Sequence, residues 1–202
     1  TIRQGEAVRM RQRRMKTDER ENNGPMGKGV ILYQSKYGAA AKYAEWLAEE
    51  TCFDIMQTKE ASVENLRRYD TIVLGGGVYA SGIAGIGFLK KHLGQLKEKR
   101  IAVFCVGASP YEEKAFQELY ARNFKDGLKG LPCFYCRGAW DEAEMSFPDR
   151  TMCRLLRKAV EKKDPDTLEP WEKALMEASG KACDWTDRRY LEPLLGFLRE
   201  KR

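Results

Sequence analysis

A short apolar run, a glycine turn and an amphipathic helical segment follow one another directly between Val30 and Glu50. The run Val30–Gln34 has the length and composition of a buried strand, and Ala39–Glu50 has the apolar spacing of a helix that packs on one side. A polar turn that contains Gly38 joins them. A strand that leads through a tight turn into a helix presents free backbone N–H groups at the helix N-terminus, and such groups bind phosphate.

The alternation of strand and helix continues beyond this unit. Ile72–Leu74 and Ile101–Val106 are continuous apolar runs, which are typical of parallel strands buried on both faces. Parallel strands joined by helices form right-handed crossovers. We therefore predict an α/β fold with a doubly wound, five-stranded parallel sheet in the order 2-1-3-4-5. The predicted strands are Val30–Gln34, Phe53–Gln57, Thr71–Gly75, Arg100–Gly107 and Cys133–Arg137.

Helices are predicted between and after these strands. A short helix begins at Ser62 or Asn65, and Gly76–Gly85 is predicted to be a loop. Pro193 is expected to kink the last helix or to mark its true start. The longer predicted helices are Ala39–Glu50, Phe88–Gln95, Glu112–Phe124, Pro148–Lys163, Thr167–Ser179 and Asp187–Glu200.

A length of 202 residues suits one α/β domain with an appendage. Residues 1–25 are polar, arginine-rich and aperiodic, so we predict a disordered basic extension ahead of a domain at residues 26–202. A helical insertion is predicted at about residues 140–185. We do not expect the extension to bind nucleic acid, because no aromatic residues are interleaved with its charges.

The amino-acid composition limits the kinds of catalytic and metal-binding site that the chain can form. The one histidine, His92, leaves little scope for histidine-based metal binding or catalysis, and we predict no catalytic side chain and no metal site. Six cysteines without a secretory signal indicate reduced thiols in a cytoplasmic protein. Cys133 and Cys136 have C-x-x-C spacing but fall on a predicted strand, where residues three apart face opposite sides, so core packing is expected. The sequence contains no apolar run of about eighteen residues, so no membrane-spanning helix is predicted.

Glycine-containing turns also follow the third and fourth predicted strands, at Gly75–Gly82 and Gly107–Tyr111. The carboxyl ends of parallel strands lie at one edge of a sheet, so these turns are expected to meet the turn at Gly38 in one crevice. Glycines there allow a flat ring to approach the backbone closely. The turns at Gly38 and at Gly75–Gly82 together predict a nucleotide site.

The turn from Ser35 to Ala40 resembles the phosphate loop of the flavodoxin family, whose pattern is Thr/Ser-x-Thr-Gly-x-Thr. Ser35 and Gly38 fit that pattern, whereas Tyr37, Ala39 and Ala40 replace residues that usually carry hydroxyl or amide groups. Each lost hydrogen bond weakens phosphate binding by about 1 kcal/mol. Lys36 is expected to compensate as a nearby cation.

The order of the remaining motifs resembles the flavodoxin-like protoporphyrinogen oxidase branch, of the menaquinone-dependent type, and related flavodoxin-domain proteins. The resemblance extends from about Lys28 to the C-terminus. In that branch an insertion after the fifth strand shapes the substrate or membrane face, and Trp140–Lys181 is the matching region here. The supporting segments are Ile31–Gly38, Phe88–His92, Tyr120–Phe124, Arg137–Ala139, Asp149–Lys163 and Thr186-Asp187.

The resemblance implies FMN as the cofactor and electron transfer or oxidoreductase chemistry at an exposed flavin edge. The expected partner is a redox protein or a small-molecule, quinone or porphyrinogen donor or acceptor, and peripheral membrane contact is left open. The alternative is a flavodoxin fold without cofactor that serves as an interaction module, because Ala39 and Ala40 lack hydroxyls. The expected cofactor-binding residues are Ser35, Lys36, Tyr37, Gly38, Ala39, Ala40, Gly77, Val78, Tyr79, Ala80, Ser81, Gly82, Gly107, Ala108, Ser109 and Tyr111.

Overall fold

The computed structural model describes residues 27–200, and the extension predicted at residues 1–25 lies outside them. The main sheet contains β1 (Gly29–Gln34), β2 (Asp54–Gln57), β3 (Thr71–Tyr79), β4 (Gly82–Ile83), β5 (Arg100–Gly107) and β6 (Cys133–Arg137). Five of these strands are parallel, in the order β2-β1-β3-β5-β6, and the short β4 pairs antiparallel with β3. Counted along the chain, the parallel strands have the order 2-1-3-4-5, so the predicted doubly wound α/β fold is confirmed.

Helices flank the sheet and continue after β6. They are α1 (Ala39–Thr51), α2 (Val63–Leu66), α3 (Ile86–Leu96), α4 (Glu113–Asn123), α5 (Phe147–Val160), α6 (Pro170–Ala178) and α7 (Glu192–Arg199). The last predicted helix is divided, because a 3-10 turn at Arg188–Leu191 precedes α7. Pro193 lies in the first turn of α7, where its missing N–H has no helical partner to lose.

Each face of the sheet builds its own core. Leu32 and Leu74 pack with α3 and α4 on one face, and Ile31 and Val73 pack with α1 and α7 on the other. The predicted core packing of the C-x-x-C pair is confirmed: Cys133 contacts the first core and Cys136 is buried in the second. All six cysteines are free thiols.

The loop predicted at Gly76–Gly85 is wrong in its first half, because β3 continues to Tyr79 and forms a hairpin with β4. Glycines usually weaken a strand, but here the close packing of the sheet requires them. A Cβ on Gly75 would collide with the Phe104 ring, and one on Gly76 would collide with the Ala84 carbonyl. Sequence periodicity carries no sign of such contacts.

The insertion predicted as helical at about residues 140–185 also contains strands. β7 (Ala139–Asp141) and β8 (Ala182–Asp184) pair antiparallel and join its two ends. Three-residue strands are too short for period-two alternation to reveal. Between them, α5 and α6 contact each other, and Val160 and Leu175 are buried.

Candidate functional site

The turn between β1 and α1 exposes a helix N-terminus. Gly38 is the N-cap residue of α1, with φ of +90°, and its N–H donates to Ser35 Oγ at 3.1 Å. No side chain among residues 27–200 caps α1, and apart from Gly38 and its two chain neighbours no described residue has an atom within 4 Å of the position of a Gly38 Cβ. The first N–H groups of α1, at Ala39 and Ala40, therefore face a space that suits an anion.

The side chains of Lys36 and Tyr37 turn toward the insertion. Lys36 Nζ lies 2.5 Å from Asp149 Oδ2, and the Tyr37 hydroxyl donates to the same oxygen. The N–H of Ser146, the N-cap residue of α5, donates to the Tyr37 hydroxyl at 3.2 Å. Lys36 and then Tyr37 lower the pKa of Asp149, and Asp149 raises the pKa of Lys36. Asp149 was not among the predicted site residues.

The turn after β3 is a tight hairpin rather than an open loop. Ala80 and Ser81 connect β3 to β4 with φ of +46° and +63°, the left-handed conformation that a type I′ turn requires at both central residues. On its two sides, Tyr79 pairs with Gly82 and Val78 pairs with Ile83. Non-glycine residues adopt this conformation at a cost in strain, and such strain concentrates at functional sites.

Tyr79 folds back from this hairpin toward the first turn. Its ring meets the Tyr37 ring edge-on, with the centroids 6.3 Å apart. A Cβ on Gly77 would lie 2.8 Å from the same ring, so the absence of a side chain at Gly77 makes room for Tyr79. Burial raises the pKa of Tyr79. The structure thus brings the first two predicted turns into contact through an aromatic pair.

One buried residue that the sequence analysis did not assign holds the hairpin in place. Asn123, at the end of α4, is only 4% exposed. Its Nδ2 donates to Ser81 O and to Leu119 O, each at 2.8 Å, and its Oδ1 accepts from the Ile83 N–H at 2.9 Å. A polar residue at a core-facing position of a helix is the only sequence signal for this role.

Side chains of β6 hold the turn after β5 in place. The Tyr135 hydroxyl donates to Ser109 O at 2.7 Å, and Arg137 Nε donates to Ala108 O at 3.2 Å. Tyr111 is half exposed and donates to Glu113 at 2.5 Å, and this hydrogen bond raises the pKa of Tyr111 to about 12. The hydroxyl therefore stays protonated at neutral pH.

Gly138 places this third turn beside the start of α1. Its N–H donates to Gly107 O at 2.8 Å. A Cβ on Gly138 would lie 2.8 Å from Val106 Cγ1, so glycine permits the close packing, and the same position is 3.5 Å from Ala39 Cβ. β1, β3 and β5 are neighbours in the sheet, and their three turns share one edge. The predicted site residues thus fall in one region, joined by residues distant in sequence.

The described part of the chain holds neither a metal-ligand cluster nor a membrane-spanning helix. No cluster of three or more His, Cys, Asp or Glu side chains there is arranged to hold a metal ion. Nor is any helix between residues 27 and 200 long and apolar enough to cross a membrane.

Comparison with known proteins gives a family and several distant structural matches. A family model described as a flavodoxin domain matches residues 30–167. None of the curated proteins compared with this chain matches it.

The structural matches have low identity. Reduced Megasphaera elsdenii flavodoxin is 16% identical, with 53% of this chain and 82% of that chain covered and a TM-score of 0.40. A Lactobacillus acidophilus flavoprotein, solved in complex with FMN, is 22% identical, with 55% and 91% covered and a TM-score of 0.37. Azoreductase AzrA is 12% identical, with 76% and 99% covered and a TM-score of 0.40.

Proposed function

This chain belongs to the flavodoxin domain family, and from that membership we propose that it is an FMN-binding redox protein. The observation that carries the proposal is the open N-terminus of α1 behind Gly38, bordered by the turns after β3 and β5. When bound, FMN would supply the electron-transfer chemistry, and the protein would bind it, orient it and adjust its potential.

The residues present fit such a cofactor. The phosphate would accept hydrogen bonds from the N–H groups of Ala39 and Ala40, where the α1 dipole favours a dianion. Lys36 adds a positive charge at the same turn, and Ser35 already fixes the Gly38 N–H. The flavin would lie against the turns Gly77–Gly82 and Gly107–Tyr111. No side chain need exchange a proton with a substrate, because electrons pass at the ring edge.

The test of this proposal is the visible absorption spectrum of the purified protein, before and after addition of FMN and gel filtration. We expect flavin absorbance that stays with the protein and saturates at one FMN per chain. Riboflavin, which lacks the phosphate, should bind more weakly, because it makes no contact with the start of α1. A protein that remains colourless in excess FMN would contradict the proposal.

Asp149 is expected to weaken FMN binding. Its carboxylate occupies Lys36 and would repel a phosphate dianion at the same turn. The substitution Asp149→Asn should therefore increase FMN affinity, by about tenfold at low ionic strength. The gain should shrink at high salt, since both groups are partly exposed. Fluorescence titration of FMN measures both values.

Asp166→Asn is the matched control, because it removes the same charge elsewhere on the insertion. It should leave the affinity unchanged. Equal FMN affinities for the wild-type protein and Asp149→Asn at low salt would show that the carboxylate does not act on the phosphate site.

A specific observation also favours a second candidate function, that of a cofactor-free interaction module. Lys36 and Tyr37 are engaged with the insertion, and Ala39 and Ala40 offer no hydroxyls. Equilibrium dialysis against free FMN separates the two functions. Absence of saturable binding would favour the module, whereas saturable binding would exclude it.

Within the redox function, we propose that α5 contacts an anionic membrane surface. We also propose that the electron donor or acceptor is a quinone or a porphyrinogen. Phe147 is 81% exposed, and Leu155 is 59% exposed on the same helix. Arg154 and Lys158 supply positive charge beside them, a combination typical of helices that lie in the membrane interface. Asp149 links this helix directly to the phosphate turn.

Co-sedimentation with vesicles tests the membrane contact. We expect the protein to bind vesicles that contain phosphatidylglycerol more strongly than purely zwitterionic ones. The substitution Leu155→Glu should weaken that binding by about tenfold, because burial of a leucine side chain is lost. Ile55→Glu, at an exposed apolar position on β2, should have little effect. Equal binding by both variants would contradict a role for α5.

A further inference from the structure

A second cleft, of about 430 Å³, opens at the carboxyl ends of β1 and β2, beside the N-terminus of α3. It borders the phosphate turn at Ser35, but its other walls belong to different elements. The residues that define it are Gln34, Gln57, Thr58, Lys59, Gly85 and Phe88. The proposed FMN function makes no use of this cleft.

The helix that faces the cleft has no cap. Gly85 is the N-cap residue of the 11-residue α3, with φ of +83°, and within residues 27–200 no side chain caps this end. The Phe88 N–H donates to Gly85 O at 2.9 Å, but the N–H groups of Ile86 and Gly87 have no acceptor in the described part of the chain. No acidic residue lies in the first turn. The α3 dipole therefore favours an anion here.

An unpaired buried hydroxyl lies at the same place. Thr58 is only 9% exposed, and its Oγ1 has no hydrogen-bond partner among the described residues. Oγ1 lies 3.2 Å from the position that a Gly85 Cβ would take, and Gln34 Oε1 lies 3.6 Å from that position. A buried hydroxyl without a hydrogen-bond partner is energetically unfavourable. Proteins rarely contain one unless a ligand or a water molecule forms the missing hydrogen bond.

One cationic side chain, that of Lys59, lines the cleft. The neighbouring Glu60 carboxylate accepts the Gln57 N–H at 3.3 Å in a capping box. The amide side chains of Gln34 and Gln57 add further donors at its rim.

We propose that this cleft binds the phosphate group of a phosphate monoester. The donors are the N–H groups of Ile86 and Gly87, the Thr58 hydroxyl and the Lys59 ammonium, and the exposed Gln34 side chain turns aside to uncover Thr58. Several converging donors match the three terminal oxygens of a phosphate better than the two of a carboxylate. The Phe88 ring on the wall would contact the organic part of the ester.

The test is a titration of the full chain with inorganic phosphate at constant ionic strength, followed by ¹H–¹⁵N NMR. We expect the Gly85 and Gly87 amide signals to shift saturably. Lys59→Gln should weaken binding about tenfold, and Thr58→Val about fivefold. Thr58→Val should not lower the melting temperature, since the hydroxyl has no partner to lose. Lys90→Gln, which removes a charge from the exposed face of α3, is the matched control.

The Gly38 amide reports on the other anion site in the same spectra. Shifts confined to Gly38, or a Gly85 response that Lys59→Gln does not weaken, would overturn the proposal. Acetate binding as tightly as phosphate would overturn the assigned ligand class. If the FMN proposal fails, the Gly85 response is unaffected, so the two proposals fail separately.

Discussion

The substitution Gly38→Val is expected to weaken FMN binding by at least about a hundredfold. Gly38 has φ of +90°, a conformation that β-branched side chains rarely adopt, and it directly precedes the first N–H groups of α1. Valine would force the turn to reorganise and would place its side chain in the space proposed for the phosphate. Loss of two hydrogen bonds to a charged group accounts for a decrease of that size.

Gly94→Val is the matched control, because Gly94 lies within α3 and a Cβ there also meets no atom of the described residues within 4 Å. It adds the same side chain without a positive φ and away from the site. Circular dichroism establishes that both variants are folded, and equilibrium dialysis measures FMN affinity. If Gly38→Val binds FMN as tightly as the control, the assignment of the phosphate turn is wrong.

The substitution Asn123→Leu is expected to lower the free energy of unfolding by about 3 kcal/mol. It removes three hydrogen bonds and leaves the buried Ile83 N–H without an acceptor. The β3–β4 hairpin should loosen, because Asn123 holds both Ser81 and Ile83. Urea unfolding measures the stability, and proteolysis near Ala80 reports on the hairpin.

Gln117→Leu serves for comparison on the same helix, since among residues 27–200 the Gln117 side chain hydrogen-bonds only the exposed Glu113. Its effect should be within about 0.5 kcal/mol. FMN affinity should fall in Asn123→Leu and stay constant in Gln117→Leu, because only Asn123 contacts the hairpin. An equally small loss of stability in the two variants would mean that Asn123 does not anchor the turn.

Much of the fold was accessible from local sequence patterns. The predicted strands Arg100–Gly107 and Cys133–Arg137 have the same bounds in the structure, and the continuous burial of the first leaves a clear apolar run. The prediction was wrong at Gly76–Tyr79, where glycine composition indicated a loop. Glycine is required there instead because Phe104 and Ala84, which belong to other elements, pack so closely that they leave no room for a Cβ.

The sequence by itself determined the order of the five parallel strands and the resemblance to the flavodoxin family, which the matching family model bears out over residues 30–167. These properties depend on residues close together in the chain, whose periodicity reflects which side is buried. The sequence also shows which turns are rich in glycine, and therefore where no side chain covers the backbone N–H groups.

Only the tertiary structure decided how these turns are completed. Asp149 meets Lys36, Asn123 meets the β3–β4 hairpin, and Thr58 meets the start of α3, and each contact joins elements that are separate in the chain. Such contacts arise when helices and strands pack, because the core fixes distances that no local preference encodes. The charge at the phosphate turn and the unpaired hydroxyl beside α3 are therefore properties of the packed fold, not of any one segment.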